Sequence, residues 1–316
     1  MTDILGIIST TLLYSAPLIY AALGGVICEN GGVVNIGLEG MMTLGALIGA
    51  TVGFYTGNPW FAFLCGGLAG MLLAWLHAIA TVNFAADHIV SGIAINLIGP
   101  GLALFLARLF FDGAAMTKPI PFDEKLPQTF TKLFSRANLE KMPWLQPFKI
   151  VFQQYIIVYI AIALVILMWY LLYKTRLGLR IRAVGEHPRA AETLGINVYL
   201  VKYICVLASG FLAGIGGASM SLAIVSNFRE TLISGQGFIA LAAMIFGGWK
   251  PQGALFACLL FGAAQGFAVF LGNKGIEVDP NLLSMLPYII TILVLVVFVK
   301  GVRAPAADGI PFEKNN

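Results

Sequence analysis

Long uncharged apolar runs, interrupted by short charged or glycine-rich stretches, dominate the chain. No Asp, Glu, Lys or Arg occurs between Glu39 and Asp87, and further uncharged stretches cover 4–28, 89–107, 150–173, 203–228, 231–249, 251–273 and 281–299. A helix needs roughly 20 apolar residues to cross hydrocarbon, and each stretch is about that long or longer. Lipid supplies no partners for backbone N–H and C=O groups, so these runs should be helices. The alternating pattern of a barrel strand is absent. Gly57-Asn58-Pro59 divides the long second run with turn chemistry, and Gly247 to Gly253 separates two later runs in the same way. Spans are therefore predicted near 4–24, 36–55, 60–81, 89–111, 150–173, 201–222, 233–248, 253–271 and 284–299. The expected fold is all-α and polytopic, with about nine (8–10) transmembrane helices in one domain, 1–316.

Composition supports the same class. Hydrophobic residues make up 59% of the chain and charged residues 11%, against about a quarter in soluble domains. Fifteen acids and 19 bases are too few for a polar shell, so the apolar surface must face membrane lipid. Met1-Thr2-Asp3 lacks the basic start of a signal peptide, and none is expected. Cys28, Cys65, Cys205 and Cys258 lie in or beside apolar runs without close pairing, as packing residues do, and no metal site is expected.

Charge placement predicts orientation. Lys174, Arg176, Arg180, Arg182, Arg189 and Lys202 cluster near membrane ends, and Lys300 and Arg303 follow the last span. By the positive-inside rule both segments are cytoplasmic, which puts the N-terminus outside and the C-terminus inside the cell membrane. The opposing signal is segment 112–149, which also carries six basic residues but mixes four acids among them over a greater length. In that extracellular segment Phe130, Leu133, Phe134 and Ala137 recur at helical spacing after Pro127, which predicts a short amphipathic helix.

The cytoplasmic loop 174–200 is the most informative part. Pro188 suits the first position of a helix, the residues through Leu194 are mostly helix formers, and Gly195 suits the position just past the end. A helix of about two turns is unstable alone in water, so something must hold it. Its small residues, Ala190 and Ala191, would let it fit closely into a partner's groove.

At this point the chain resembles a known family. Gly185-Glu186-His187-Pro188-Arg189-Ala190-Ala191, with Gly195-Ile196-Asn197 following, is similar to the coupling-loop motif of ABC importer permeases for branched-chain amino acids, ribose-type sugars and nucleosides. The block from Glu29 to Met42 (Glu-Asn-Gly-Gly-Val-Val-Asn-Ile-Gly-Leu-Glu-Gly-Met-Met) resembles that family's early signature. Gly235-Gln236-Gly237-Phe238 through Gly247-Gly248-Trp249 and Gly253 resembles its late glycine-rich block. The resemblance implies a permease that pairs with a second permease, identical or related, above two ATPase subunits and below an extracellular substrate-binding lipoprotein. It also implies that the ATPase grips the loop at Gly185, Glu186, His187, Pro188, Arg189, Ala190, Ala191, Glu192 and Gly195, with Arg189 and Glu192 as polar contacts. The early block is most similar to permeases for nucleosides; simple sugars such as ribose or galactose, or branched-chain amino acids, are the alternatives.

The chain has no Gly-x-x-x-x-Gly-Lys-Ser/Thr phosphate loop, no His-Glu-x-x-His and no catalytic triad, so neither catalytic residues nor a cofactor is expected. No basic patch calls for nucleic acid. Asn35, Asn96 and Gln236 can line a pathway without fixed charge, or serve as interhelical hydrogen-bonding groups. Glu39 reads equally as a gate or as a helix-start cap. An ion-coupled secondary transporter is the alternative from another class, but such proteins usually carry acids mid-membrane, and only Glu39 and Asp87 come near.

Overall fold

The computed structural model describes residues 2–131, 146–273 and 303–312, together with Met285 and Ile289. The chain forms α1 (Thr2–Asn30), α2 (Leu38–Thr56), α3 (Pro59–Ala78), α4 (His88–Phe110), α5 (Gln146–Phe152), α6 (Ile156–Lys174), α7 (Arg176–Glu186), α8 (Pro188–Thr193), α9 (Val198–Ser219), α10 (Gln236–Phe246) and α11 (Pro251–Asn273). Among the described residues seven helices are long and apolar enough to cross a membrane, and Gln236–Phe246 is a shorter apolar one. The ninth predicted span, 284–299 with Pro287, lies outside the described residues apart from Met285 and Ile289, as do Leu133, Phe134 and Ala137. Phe130 sits in a turn with φ 56°, so no helix runs through it.

Local chemistry explains the ends. Gly57 takes φ 63° after α2, and Asn58 accepts from Trp60 N–H (3.1 Å) and Phe61 N–H (3.2 Å) to cap α3, with Pro59 in the first turn. The predicted span at 150–173 is two helices. α5 ends at Phe152, and Gln154 turns back to donate to Ser9 Oγ (2.6 Å) on α1 before α6 begins. Single π turns extend α3 at Ile79–Asn83 and α9 at Met220–Ile224, which the apolar pattern does not predict. Pro17 and Pro100 lie inside α1 and α4.

α9 packs against α1, α2 and α3, and α1 packs in turn on α10 and α11. Close approach comes from small residues. Gly66 and Gly70 on α3 face Gly210 and Gly214 on α9, and a Cβ at any of them would strike the neighbouring chain. Spacing of four places each pair on one helix face. α4 lies at the periphery on α2, with Leu97 and Phe105 directed outward. The four cysteines are free; Cys28, Cys205 and Cys258 are buried and Cys65 is half-buried. The end of α1, the loop containing α7 and α8, the 247–250 turn and the C-terminal segment 303–312 gather at one end of the bundle.

Candidate functional site

Thr175 begins the site. Its hydroxyl caps Gly178 N–H (3.1 Å) while donating to Leu171 O (2.6 Å), so α7 starts directly off the end of α6. Gly178 lies too close to the Leu171 and Leu172 carbonyls to carry a side chain. Arg182 closes the corner: Nε donates to Leu172 O (3.1 Å), and the guanidinium lies 5.0 Å from the Tyr173 ring centre. α7 is thus fastened to α6 by side-chain bonds as well as by the chain.

His187 then takes an extended conformation (φ −141°, ψ 78°) that ends α7, and Pro188 opens α8. α8 has six residues, about two turns as expected, and Gly195 follows it at φ 80°. Glu186, His187, Arg189, Ala190 and Gly195 are exposed, Pro188 and Glu192 are half-buried, and Gly185 and Ala191 are buried. Of the two alanines expected to face a partner, only Ala190 is exposed; Ala191 is buried against the bundle. Leu194, not singled out in the sequence, is 82% exposed at the tip.

Gly185 lies against Asn30, and a Cβ there would collide with the Asn30 carbonyl. Gly32, at φ 76°, faces the Gly185 backbone. Asn30 Nδ2 donates to Trp249 O (3.0 Å), and the Trp249 indole N–H donates to Glu29. The three sequence blocks therefore meet at one point.

The C-terminal segment completes it. Ala307 N–H donates to Gly185 O (2.8 Å), and Ala306 N–H reaches Glu186 Oε2 (3.3 Å). Buried Lys202 donates to Gly32 O (3.3 Å) and Ile310 O (3.4 Å). Tyr199 O–H donates to Phe312 O (3.5 Å), and the two rings meet edge to face at 5.6 Å. Asp308 shares a hydrogen bond with Glu29, while its buried Oδ1 has no partner among the described residues. Burial, and then the neighbouring Glu29, push the Asp308 carboxyl up to about 9, so the hydrogen-bonded Glu29–Asp308 pair holds a proton at neutral pH. A groove of about 560 Å³ opens between His187, Arg189 and Ala190 on one side and Ala306, Pro311 and Phe312 on the other.

The four polar residues read as pathway candidates lie deeper in the bundle. Asn35 Nδ2 donates to Ser209 Oγ (2.9 Å), and its Oδ1 accepts from Gly37 N–H (3.0 Å). Asn96 accepts from Gly40 N–H (2.9 Å) and donates to Ile36 O (2.9 Å). Glu39 accepts from Gly235 N–H (2.6 Å) and Gly237 N–H (2.7 Å), so it caps the start of α10, a different helix from its own. Gln236 accepts from Gln265 Nε2 (3.0 Å) at the same helix start.

Two histidines not picked out in the sequence satisfy the non-helical backbone between α1 and α2. His77 Nε2 bonds Val34 O (3.0 Å) and its Nδ1 bonds Ser91 Oγ (2.8 Å), while His88 Nδ1 accepts from Val34 N–H (3.3 Å). Irregular backbone packed inside a protein needs such partners, because its N–H and C=O groups have no helical ones. Their signal in the sequence is an imidazole within or beside an apolar run, which is costly unless bonded.

Residues 7–295 match the family described as branched-chain amino acid transport system / permease component. The chain is 45% identical to the nucleoside ABC transporter permease protein NupC of Lactococcus lactis subsp. cremoris, over 98% of this chain and 97% of that protein. It is 44% identical to the guanosine ABC transporter permease protein NupQ of Bacillus subtilis, over 98% and 96%. A second Lactococcus lactis protein, the nucleoside ABC transporter permease protein NupB, is 27% identical over 96% of this chain and 83% of its own length.

Proposed function

The chain belongs to the branched-chain amino acid transport permease family as a membrane-spanning permease subunit of an ABC importer, and we propose that it carries nucleosides. The names of two relatives at 44–45% identity across nearly the whole chain support that substrate class. A second, related permease is proposed as the partner, since Lactococcus lactis has two such chains that both match this one. ATP hydrolysis belongs to separate ATPase subunits, and substrate arrives on an extracellular binding lipoprotein.

In this reading the end of the bundle that holds α7, α8 and the C-terminal segment faces the cytoplasm, and the N-terminus lies outside. The observation that carries the coupling role is the exposure of α8 and Leu194 on a corner fastened to α6 by Thr175 and Arg182. The ATPase grips α8, and a rigid-body shift there tilts α6 and α9 and switches the pathway between its two openings. Arg189 makes the charged contact, because its side chain is exposed beside the groove.

For the pathway we place Gln236 and its partner Gln265 first. Both are half-buried at the broken start of α10, where an amide can offer a donor or an acceptor to a base or sugar hydroxyl without a fixed charge. Both ends of Asn35 and Asn96 are engaged between helices, and Glu39 holds the α10 start.

Reconstituting the full complex in vesicles and measuring uptake of labelled nucleosides against labelled ribose and leucine tests the substrate. ATP-dependent uptake of nucleoside, suppressed by Arg189→Glu, is the expected result. Uptake of ribose or leucine alone would overturn the substrate class. Labelling of a His187→Cys variant only from the outside would overturn the orientation.

A further inference from the structure

We propose that the C-terminal segment 305–312 is a transmission strap, with Ala307 and Asp308 as positioning residues that fasten the end of α7 to α1 and α9. The strap rests on the reading of α8 as the ATPase handle, and adds a route the chain connection does not provide. Covalently, α8 reaches only α6, through α7, and α9, through residues 194–197. Neither α1 nor the 247–250 turn that leads into α11 is joined to it.

Within seven residues the segment bridges that gap. Ala306 N–H meets Glu186 Oε2 at 3.3 Å, and Ala307 N–H meets Gly185 O at 2.8 Å, both at the last residues of α7. The next residue, Asp308, bonds Glu29 on α1, which also holds the indole of Trp249. Gly309, at φ 74°, reverses the chain against Val34. Ile310 O then accepts from Lys202 of α9, the same ammonium that holds Gly32 O, and Phe312 packs on Tyr199. Ala307 and Phe312 are buried, so the segment is packed into the bundle end and does not merely lie across it. Backbone-to-backbone bonds and packed side chains resist stretching, so a push on α7 at Gly185 must move α1 as well as α6.

A carboxyl and an amide have the same shape, and the Asp308 proton can be replaced by an amide donor. In the full reconstituted complex, Asp308→Asn should therefore keep the number of nucleosides carried per ATP hydrolysed. Asp308→Ala and Ala307→Pro should lower it by on the order of tenfold while ATP hydrolysis continues, since breaking one link in a coupling network shifts coupling by that order. Wild-type transport per ATP in both loss variants would overturn the strap. A second measurement does not depend on those variants folding. In Glu186→Cys/Ala306→Cys, a short bis-maleimide link between the two cysteines should leave transport per ATP as it was before linking, because strap and α7 move together. If linking stops transport while ATP hydrolysis persists, the two must separate during the cycle and the strap is excluded. Loss of the underlying reading would look different: Arg189→Glu would leave ATP-coupled uptake and ATPase association unchanged, whatever the strap variants do.

Discussion

Gly185, at the end of α7, and Asn30, at the end of α1, touch backbone to backbone with no space for a side chain between them. The two residues belong to blocks 155 positions apart in the chain, and their contact joins the transmembrane helix that opens the fold to the loop that the ATPase is proposed to grip.

Gly185→Ala should therefore separate the two elements. Overpacking of this kind typically costs about 1–3 kcal/mol. The expected outcome is a lowered melting temperature of the detergent-purified complex and reduced uptake per ATP. Gly113→Ala makes the control, because it lies outside the coupling loop, a Cβ there meets open space and only its φ of 85° is strained. That strain costs about 1–2 kcal/mol and leaves the α1 contact intact. Equal loss of coupling in both variants would count against the role of the Gly185 contact.

Glu39→Ala should unsettle the half-length helix α10. Removing the carboxylate leaves the N–H groups of Gly235 and Gly237 without their acceptor inside the membrane, at about 1–3 kcal/mol for each buried group left unmade. Glu39→Gln keeps one acceptor oxygen and should lose about half as much. Thermal unfolding of the purified permease reads the difference, and a Glu39→Ala protein as stable as the parent would exclude the cap.

Docking of the C-terminal segment should depend on pH through Asp308. Its carboxyl is held well above the ordinary value of 3.8, at about 9, first by burial and then by the neighbouring Glu29, while Lys202 opposes the shift. The docked state thus binds a proton that the free segment releases above its ordinary value. Docking weakens as pH rises from near 4 to about 9 and levels off above that, when both states are ionised. A spin label at Ile310→Cys, an exposed position, should gain mobility between pH 7 and 9.5. Asp308→Asn should flatten that response. An unchanged pH profile in the Asn variant would assign the titration to another group.

Leu194→Asp should weaken association with the ATPase without changing the stability of the permease itself. The side chain is exposed, so nothing within the chain loses packing, and surface changes of that kind usually fall within about 0.5 kcal/mol. Pull-down of the ATPase by the purified permease, alongside melting temperature, separates the two effects. Normal pull-down by the Asp variant would place the grip elsewhere on the loop.

Much of this fold is local chemistry, and local chemistry is legible in a sequence. Uncharged runs set where helices cross, because lipid leaves the backbone no other way to satisfy its hydrogen bonds. Asn58 and Pro59 mark the α2–α3 corner, and Pro188 and Gly195 mark the two ends of α8, by the same torsional preferences wherever they occur. The π turns at Ile79–Asn83 and Met220–Ile224 left no such mark, since an extra residue in a helical turn does not disturb an all-round apolar pattern.

By itself, then, the sequence determined the class of fold, several of the places where helices start and stop, and the short helix after Pro188 on the basic loop, but not the break at Gln153–Tyr155 or the helix from Arg176 to Glu186. Only the tertiary structure decided that Glu39 caps a helix 196 residues away, and that Lys202 holds Ile310 across 108 residues. It also decided that His77 and His88 clasp Val34, and that the C-terminal segment closes over Gly185. The physical reason is one of range. Torsional preference and hydropathy act within a turn or a span, whereas a buried polar group takes whichever partner the packing of several helices brings within bonding distance.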